Sequence, residues 1–161
     1  MREGYDTAQI CPNGHVATQT AASFPQHCQP FCEKCGEATI TNSPKCQASI
    51  RGHYHVPGVV GFYDYSPPSF CYNCGNAFPW TERNQQAAIE LFIEETQDHE
   101  DRREFRESIE QITNDTPQAQ VASKRINRLL GKIGKGAASA IRDLLVDIAS
   151  EAAKKLLMPG G

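Results

Sequence analysis

A chain of 161 residues has room for one ordinary domain or two small units, and a net charge of -3 excludes a global electrostatic grip on nucleic acid or anionic lipid. No stretch reaches the roughly 18 uninterrupted apolar residues of a membrane span, because Arg142, Asp143 and Asp147 interrupt even the apolar C-terminal segment. All seven cysteines lie between Cys11 and Cys74, and no secretory leader opens the chain, so the expectation is a cytoplasmic protein whose thiols bind metal rather than pair as disulfides.

Charge divides the chain into three parts. Residues 1–81 carry four basic and five acidic groups, residues 82–116 four and eleven, and residues 117–161 eight and three. The predicted organisation follows this split: a metal-binding domain over 1–80, an acidic helical segment over 81–116 and a basic amphipathic helical tail over 117–161.

From Tyr5 to about Pro79 the chain is rich in Pro, Gly, Cys and Asn, with short β-type runs at 16–20, 39–41 and 59–63. Short strands and turns fit this text, and it holds too few large aliphatic side chains to fill a core without a structural metal. Thr81 then reads as the N-cap of a helix running to about Thr96, with Ala88, Ile89, Leu91 and Phe92 on its apolar face. A second helix is predicted from about Asp98 to Thr113, with Phe105, Ile109 and Ile112 as a narrow buried edge. Thr116 and Pro117 make a strong start signal for a third helical region. Its apolar positions are Val121, Ile126, Leu130, Ile133, Ala137, Ile141, Leu144, Leu145, Ile148, Ala152 and Leu156, close to a helical repeat. The glycines at 131, 134 and 136 are expected to split this region in two, and Pro159 to stop it. The fold class is therefore α+β: an N-terminal paired zinc ribbon followed by a helical C-terminal region.

Four knuckle-like stretches carry the chemistry: "CPNGH" from Cys11, "CEKCG" from Cys32, "SPKC" from Ser43 and "CYNCG" from Cys71. Two thiolates separated by two residues and followed by glycine reach one tetrahedral ion while the backbone turns tightly. By chain order the first site is Cys11, His15, Cys32 and Cys35, and the second is Cys46, Cys71 and Cys74 with a fourth donor to be found. His53 is favoured for that position, with His55 and Cys28 as alternatives; Ser43 is set aside because its hydroxyl would have to ionise. Three cysteines and a water would leave an open, catalytic type of site.

The segments "YDTAQICPNGH", "FCEKCG", "KCQASIRGHYHVPGV", "PPSFCYNCGNAFPWTE" and "RDLLVDIASEAAKKLL" resemble a bacterial family of uncharacterised zinc-ribbon proteins. The resemblance spans nearly the whole chain and implies a paired zinc ribbon followed by helices, with no reaction attached. Where that family tends to read Cys-Pro-x-Cys, this chain has Ser43.

No Ser-His-Asp set, phosphate-binding glycine loop or HExxH motif is present, and His99 lies in a charged run that reads as solvated surface. The expected role is a non-enzymatic scaffold or protein-interaction module with two structural zinc ions, engaging a protein partner or a second copy through residues 117–158. The alternative is nucleic-acid binding, with Arg51, Tyr54, Tyr63, Tyr65, Phe70, Tyr72 and Trp80 as stacking groups, although residues 1–81 are poor in positive charge. A third reading lays the basic C-terminal helix on an anionic membrane surface.

Overall fold

In the computed structural model, residues 3–61 and 63–158 are described, and two compact units divide between Glu82 and Arg83. Among the described residues the protein is a mixed α+β chain: two small two-stranded sheets in the first unit, and five helices that start at Pro79.

Strand β1 (Gly4–Thr7) pairs antiparallel with β4 (Arg51–His55), and β2 (Gln9–Ile10) pairs antiparallel with β3 (Val16–Thr18). The expected strand at 39–41 is reduced to one bridge, Ile10 to Ile40, and no strand forms at 59–61. Phe62 of that last run lies outside the described residues. Both runs are flanked by knuckle turns or Pro-rich loops, so neither meets a partner long enough to build a ladder. The unit's apolar cluster is small: Ala8, Ile10, Ile50, Cys71, Phe78 and Trp80, with the Phe78 and Trp80 rings stacked at 4.6 Å. A core this size cannot by itself offset the chain entropy of about 80 ordered residues.

One polar device sits beside it. The Asp6 side chain accepts from the backbone N–H groups of Thr7 at 2.7 Å and Ala22 at 2.9 Å, and lies 2.8 Å from His55 Nε2. Burial on its own would raise this carboxyl; the hydrogen bonds from Ser23, His55, Thr7 and Ala22 outweigh it and hold the group below its ordinary value of 3.8. A carboxylate depressed in the folded state stabilises it at every pH above the unfolded value, and that contribution fades as pH falls through the folded value. Asp6→Ala is expected to lower the stability of the first unit by about 1–2 kcal/mol at pH 7, because partly buried N–H donors lose a charged acceptor, and by less at a pH well below 3.8, where the carboxylate is progressively protonated. Thermal melts at the two pH values check this; an equal loss at both would refute it.

Helix α1 (Pro79–Glu95) begins two residues before the expected cap. Thr81 is fully buried, and its hydroxyl donates to Ser69 O at 2.9 Å rather than capping. Proline fits the first helical position, where no backbone donor is needed, and Glu82 N instead bonds Phe78 O. Helix α2 (His99–Ile112) follows its sequence signal, with Asp98 capping the Asp101 N–H at 2.9 Å. Arg102 closes the end of α1 by donating to the carbonyls of Thr96 and Ile93, a positive group at a helix C-terminus.

The third helical region divides into three, not two: α3 (Pro117–Leu130), α4 (Lys135–Val146) and α5 (Glu151–Leu157). The glycines account for the first break. The second falls at Asp147–Ser150, where Ser150 caps Ala153 N and donates its own N–H to Ile112 O. Each break shifts the helical phase, so Ala138, Ala153 and Leu157 are buried where one continuous repeat selects Ala137, Ala152 and Leu156. The expected stop at Pro159 lies outside the described residues.

Segments 83–116 and 117–158 share one core rather than forming separate domains. Phe92, Phe105, Ile109, Ile112, Ile126, Leu129, Ile141, Leu145 and Leu157 belong to one cluster, within which the Phe92 and Phe105 rings stack at 4.2 Å. The charge blocks meet as well: Arg128 pairs with Glu104, and Lys132 with Asp101 at 3.0 Å. Of the expected C-terminal stripe, Val121 is exposed, while Ile126, Leu130, Ile141, Leu145 and Ile148 are spent inside this unit. Among the described residues no helix is long and apolar enough to cross a membrane.

Candidate metal centres

Three of the four knuckles share one backbone geometry. Cys32 N bonds Glu37 O, Ser43 N bonds Ala48 O and Cys71 N bonds Asn76 O, each spanning five residues. Gly36, Gln47 and Gly75 in turn donate to the carbonyls of Cys32, Ser43 and Cys71, at 2.8, 2.9 and 2.8 Å. These three fifth positions have φ of 77°, 66° and 74°, the left-handed region. Bridges Phe31 to Ala38, Asn42 to Ser49 and Phe70 to Ala77 clamp each knuckle at the same offset. Gln47 adopts this conformation without being glycine, the one non-glycine to do so among the described residues, so the Ser43 knuckle keeps its shape against an intrinsic cost.

The first knuckle is one residue shorter: Cys11 N bonds His15 O, and its left-handed residue is Gly14, with φ 91°. A Cβ on Gly14 would stand 3.1 Å from Trp80 Cβ. A cysteine in the usual fourth position is therefore disfavoured twice, and the donor comes one residue later from the imidazole of His15.

These turns bring Cys11, His15, Cys32 and Cys35 together, with all four donor atoms within 4.8 Å of one another. His15 Nδ1 is 3.4 Å from Cys11 Sγ and 3.5 Å from Cys32 Sγ, and the Cys35 and Cys11 sulfurs are 3.6 Å apart. A second group holds Cys46, Cys71 and Cys74, with Cys46 and Cys71 sulfurs at 3.6 Å. All seven thiols are free. Each group could hold a metal ion.

The hydrogen bonds around the sulfurs favour the ligating, ionised form. The backbone N–H of Glu37 and then the Asn13 side chain lower the Cys35 thiol to about 6. The Asn73 side chain and then the backbone of Ala48 lower Cys46 to about 6. Asn76 lowers Cys74 through its side chain first and its backbone second, whereas burial raises Cys11. The asparagines at 13, 73 and 76 did not figure among the sequence candidates, although the signal was there: an amide recurs inside or just after these knuckles.

His53, His55 and Cys28 do not join the second group. Strand β4 leaves the knuckle to pair with β1, which carries both histidines away from the sulfurs. His55 is taken by Asp6, and His53 packs edge-on against His55 at 4.8 Å and beside Tyr63 at 5.8 Å. Cys28 follows a short 3-10 turn at Pro25–His27 and points its thiol toward Ala21 O at 3.9 Å. What stands beside the three sulfurs is Ser43: its side chain is buried, and Oγ lies 3.9 Å from Cys74 Sγ.

The knuckled first unit, its clustered cysteines and the helical second unit define a class of small α+β protein with a metal-ready N-terminal half. The chain belongs to a family described as an uncharacterised protein conserved in bacteria (DUF2321), which it matches over residues 4–157. No curated protein matches it, and no solved structure does.

Proposed function

We propose that the first unit is a paired zinc ribbon binding two structural zinc ions, and that the protein is a non-enzymatic scaffold or protein-interaction module built on it. The carrying observation is the convergence of seven donors into two groups, in each of which one pair of sulfurs lies 3.6 Å apart. Zn–S bonds of about 2.3 Å in a tetrahedron place sulfurs about 3.8 Å apart, and replacing one sulfur by an imidazole nitrogen shortens that edge to about 3.5 Å. The distances of 3.4 and 3.5 Å to His15 Nδ1 fit that edge. A closed thiolate site contributes folding free energy rather than chemistry, which is what a unit with so small an apolar cluster needs.

The expected partner is protein. Burial of the apolar stripe inside the second unit argues against self-assembly through residues 117–158, since that seam would open only by unfolding it. Exposed Phe31, Tyr5, Tyr54 and Tyr72 on the zinc-bearing unit are the better contact groups. Elemental analysis of the purified protein tests the reading: two zinc ions per chain are expected, and fewer than two would overturn it.

One observation favours nucleic-acid binding as a second reading. The Arg51 guanidinium stacks between two exposed rings, 4.5 Å from the Tyr5 centroid and 3.8 Å from that of Tyr72, a cation flanked by flat surfaces. This reading predicts binding of a single-stranded oligonucleotide that weakens steeply with salt and is lost in Tyr72→Ala. Absence of binding at low salt removes it.

A further inference from the structure

We infer that Ser43 Oγ is the fourth protein donor of the second centre, which makes that centre the weaker and faster-exchanging of the two. The inference rests on the two-zinc reading above. Its basis is the superposition of roles within the knuckles, since Ser43 holds the position that Cys32 and Cys71 hold in theirs. The same five-residue backbone bond, the same left-handed fifth residue and the same flanking bridge surround all three.

The side-chain environment repeats too. At Cys32 the sulfur accepts the Lys34 N–H at 3.4 Å; at Ser43 the oxygen accepts the Lys45 N–H at 3.3 Å and the Cys46 N–H at 3.5 Å. These backbone donors hold the Ser43 oxygen where a knuckle sulfur stands in the matching turn. Ser43 is 2% exposed, so its hydroxyl lies inside the knuckle rather than in solvent. Its oxygen is 3.9 Å from Cys74 Sγ, within a few tenths of an ångström of the roughly 3.5 Å edge subtended by one Zn–S and one Zn–O bond.

An alcohol oxygen is a harder and weaker donor to zinc than a thiolate, so the two centres differ in strength although their knuckles match. The first centre, Cys11, His15, Cys32 and Cys35, holds its ion; the second, Cys46, Cys71, Cys74 and Ser43, yields it first. Its loss releases the tie between residues 43–46 and 71–74 that closes the loop carrying β4.

The test uses the intact zinc-loaded protein, a colorimetric chelator in excess, and the variants Ser43→Cys and Ser43→Ala. Wild type is expected to release its two ions in two phases of equal amplitude. Ser43→Cys should slow the fast phase by about tenfold or more and raise the sulfur count seen by X-ray absorption from 3.0 to 3.5 per zinc on average, whereas Ser43→Ala should speed that phase by about tenfold. Cobalt substitution supplies a second readout: the ligand-field bands of the second centre should move in both variants. A fast phase and cobalt bands unchanged in Ser43→Ala would overturn the assignment, because the fourth donor would then come from elsewhere. A wild-type chain that carries fewer than two ions would instead overturn the two-centre reading itself, so the two failures are told apart by stoichiometry.

Discussion

Chelation of zinc is expected to unfold the first unit and leave the second intact. Trp80 is the only tryptophan in the chain, and it is buried in the small cluster with Ala8, Ile10, Ile50, Cys71 and Phe78. Its emission therefore reports on that unit. Structural zinc contributes about 10–16 kcal/mol of apparent binding free energy in small metal-dependent folds, as large as the whole stability of about 5–15 kcal/mol that domains possess. Metal removal, or Cys32→Ala or Cys71→Ala, should red-shift Trp80 emission and abolish the dispersed amide signals of β1 and β4. Most of the helical circular dichroism should survive, because α2 to α5 lie wholly in the second unit. Unshifted Trp80 emission in a fully demetallated sample would remove the structural role assigned to the metal.

The reciprocal experiment starts from the helices. Phe92 and Phe105 are both fully buried and stack face to face at 4.2 Å in the core that joins α1 to α2. Phe105→Ala should cost about 3–5 kcal/mol through lost transfer energy and the cavity left behind. That is a large fraction of what a unit of this size possesses, so the helical signal should melt at much lower temperature or be lost at room temperature. Zinc content should stay at two ions per chain, since every donor lies in the first unit. Joint loss of helix and metal would mean that the two units fold as one. Phe105→Leu, which keeps most of the apolar volume, should show the same pattern at a fraction of the size.

Much of the second unit is legible from residue order because its signals are local. The buried edge of α2 at Phe105, Ile109 and Ile112 follows from helical spacing, and Asp98 and Pro117 mark their helix starts by chemistry that acts within one turn. What was not legible is the break at Asp147–Ser150, and with it the phase that puts Leu157 rather than Leu156 in the core. The Ser150 side chain is a local cue, but the contact that holds the break, Ser150 N to Ile112 O, joins residues far apart in the chain. Thr81 misled for a related reason. A threonine before an acidic turn reads as a cap, yet its hydroxyl is used by Ser69, which only the folded chain brings near.

The candidate site divides along the same line. Sequence by itself determined the class of donor and its grouping: spacing of two residues between cysteines, with glycine following, is a statement about one turn of backbone, and it assigns Cys32 with Cys35 and Cys71 with Cys74 without reference to anything distant. It also put His15 forward in place of a cysteine, and the fold brings its Nδ1 to 3.4 Å from Cys11 Sγ and 3.5 Å from Cys32 Sγ. Only the tertiary structure decided which side chain stands beside the second set. Histidines seven and nine residues beyond Cys46 are within reach by chain length, but pairing of β4 with β1 turns them toward Asp6 and Tyr63. The serine that looked like a lost ligand keeps the knuckle's hydrogen bonds and stands beside Cys74. Chain proximity limits which donors can meet; which of them do meet is decided by the non-local pairing of strands, where a few backbone bonds outweigh any preference of the side chains they carry.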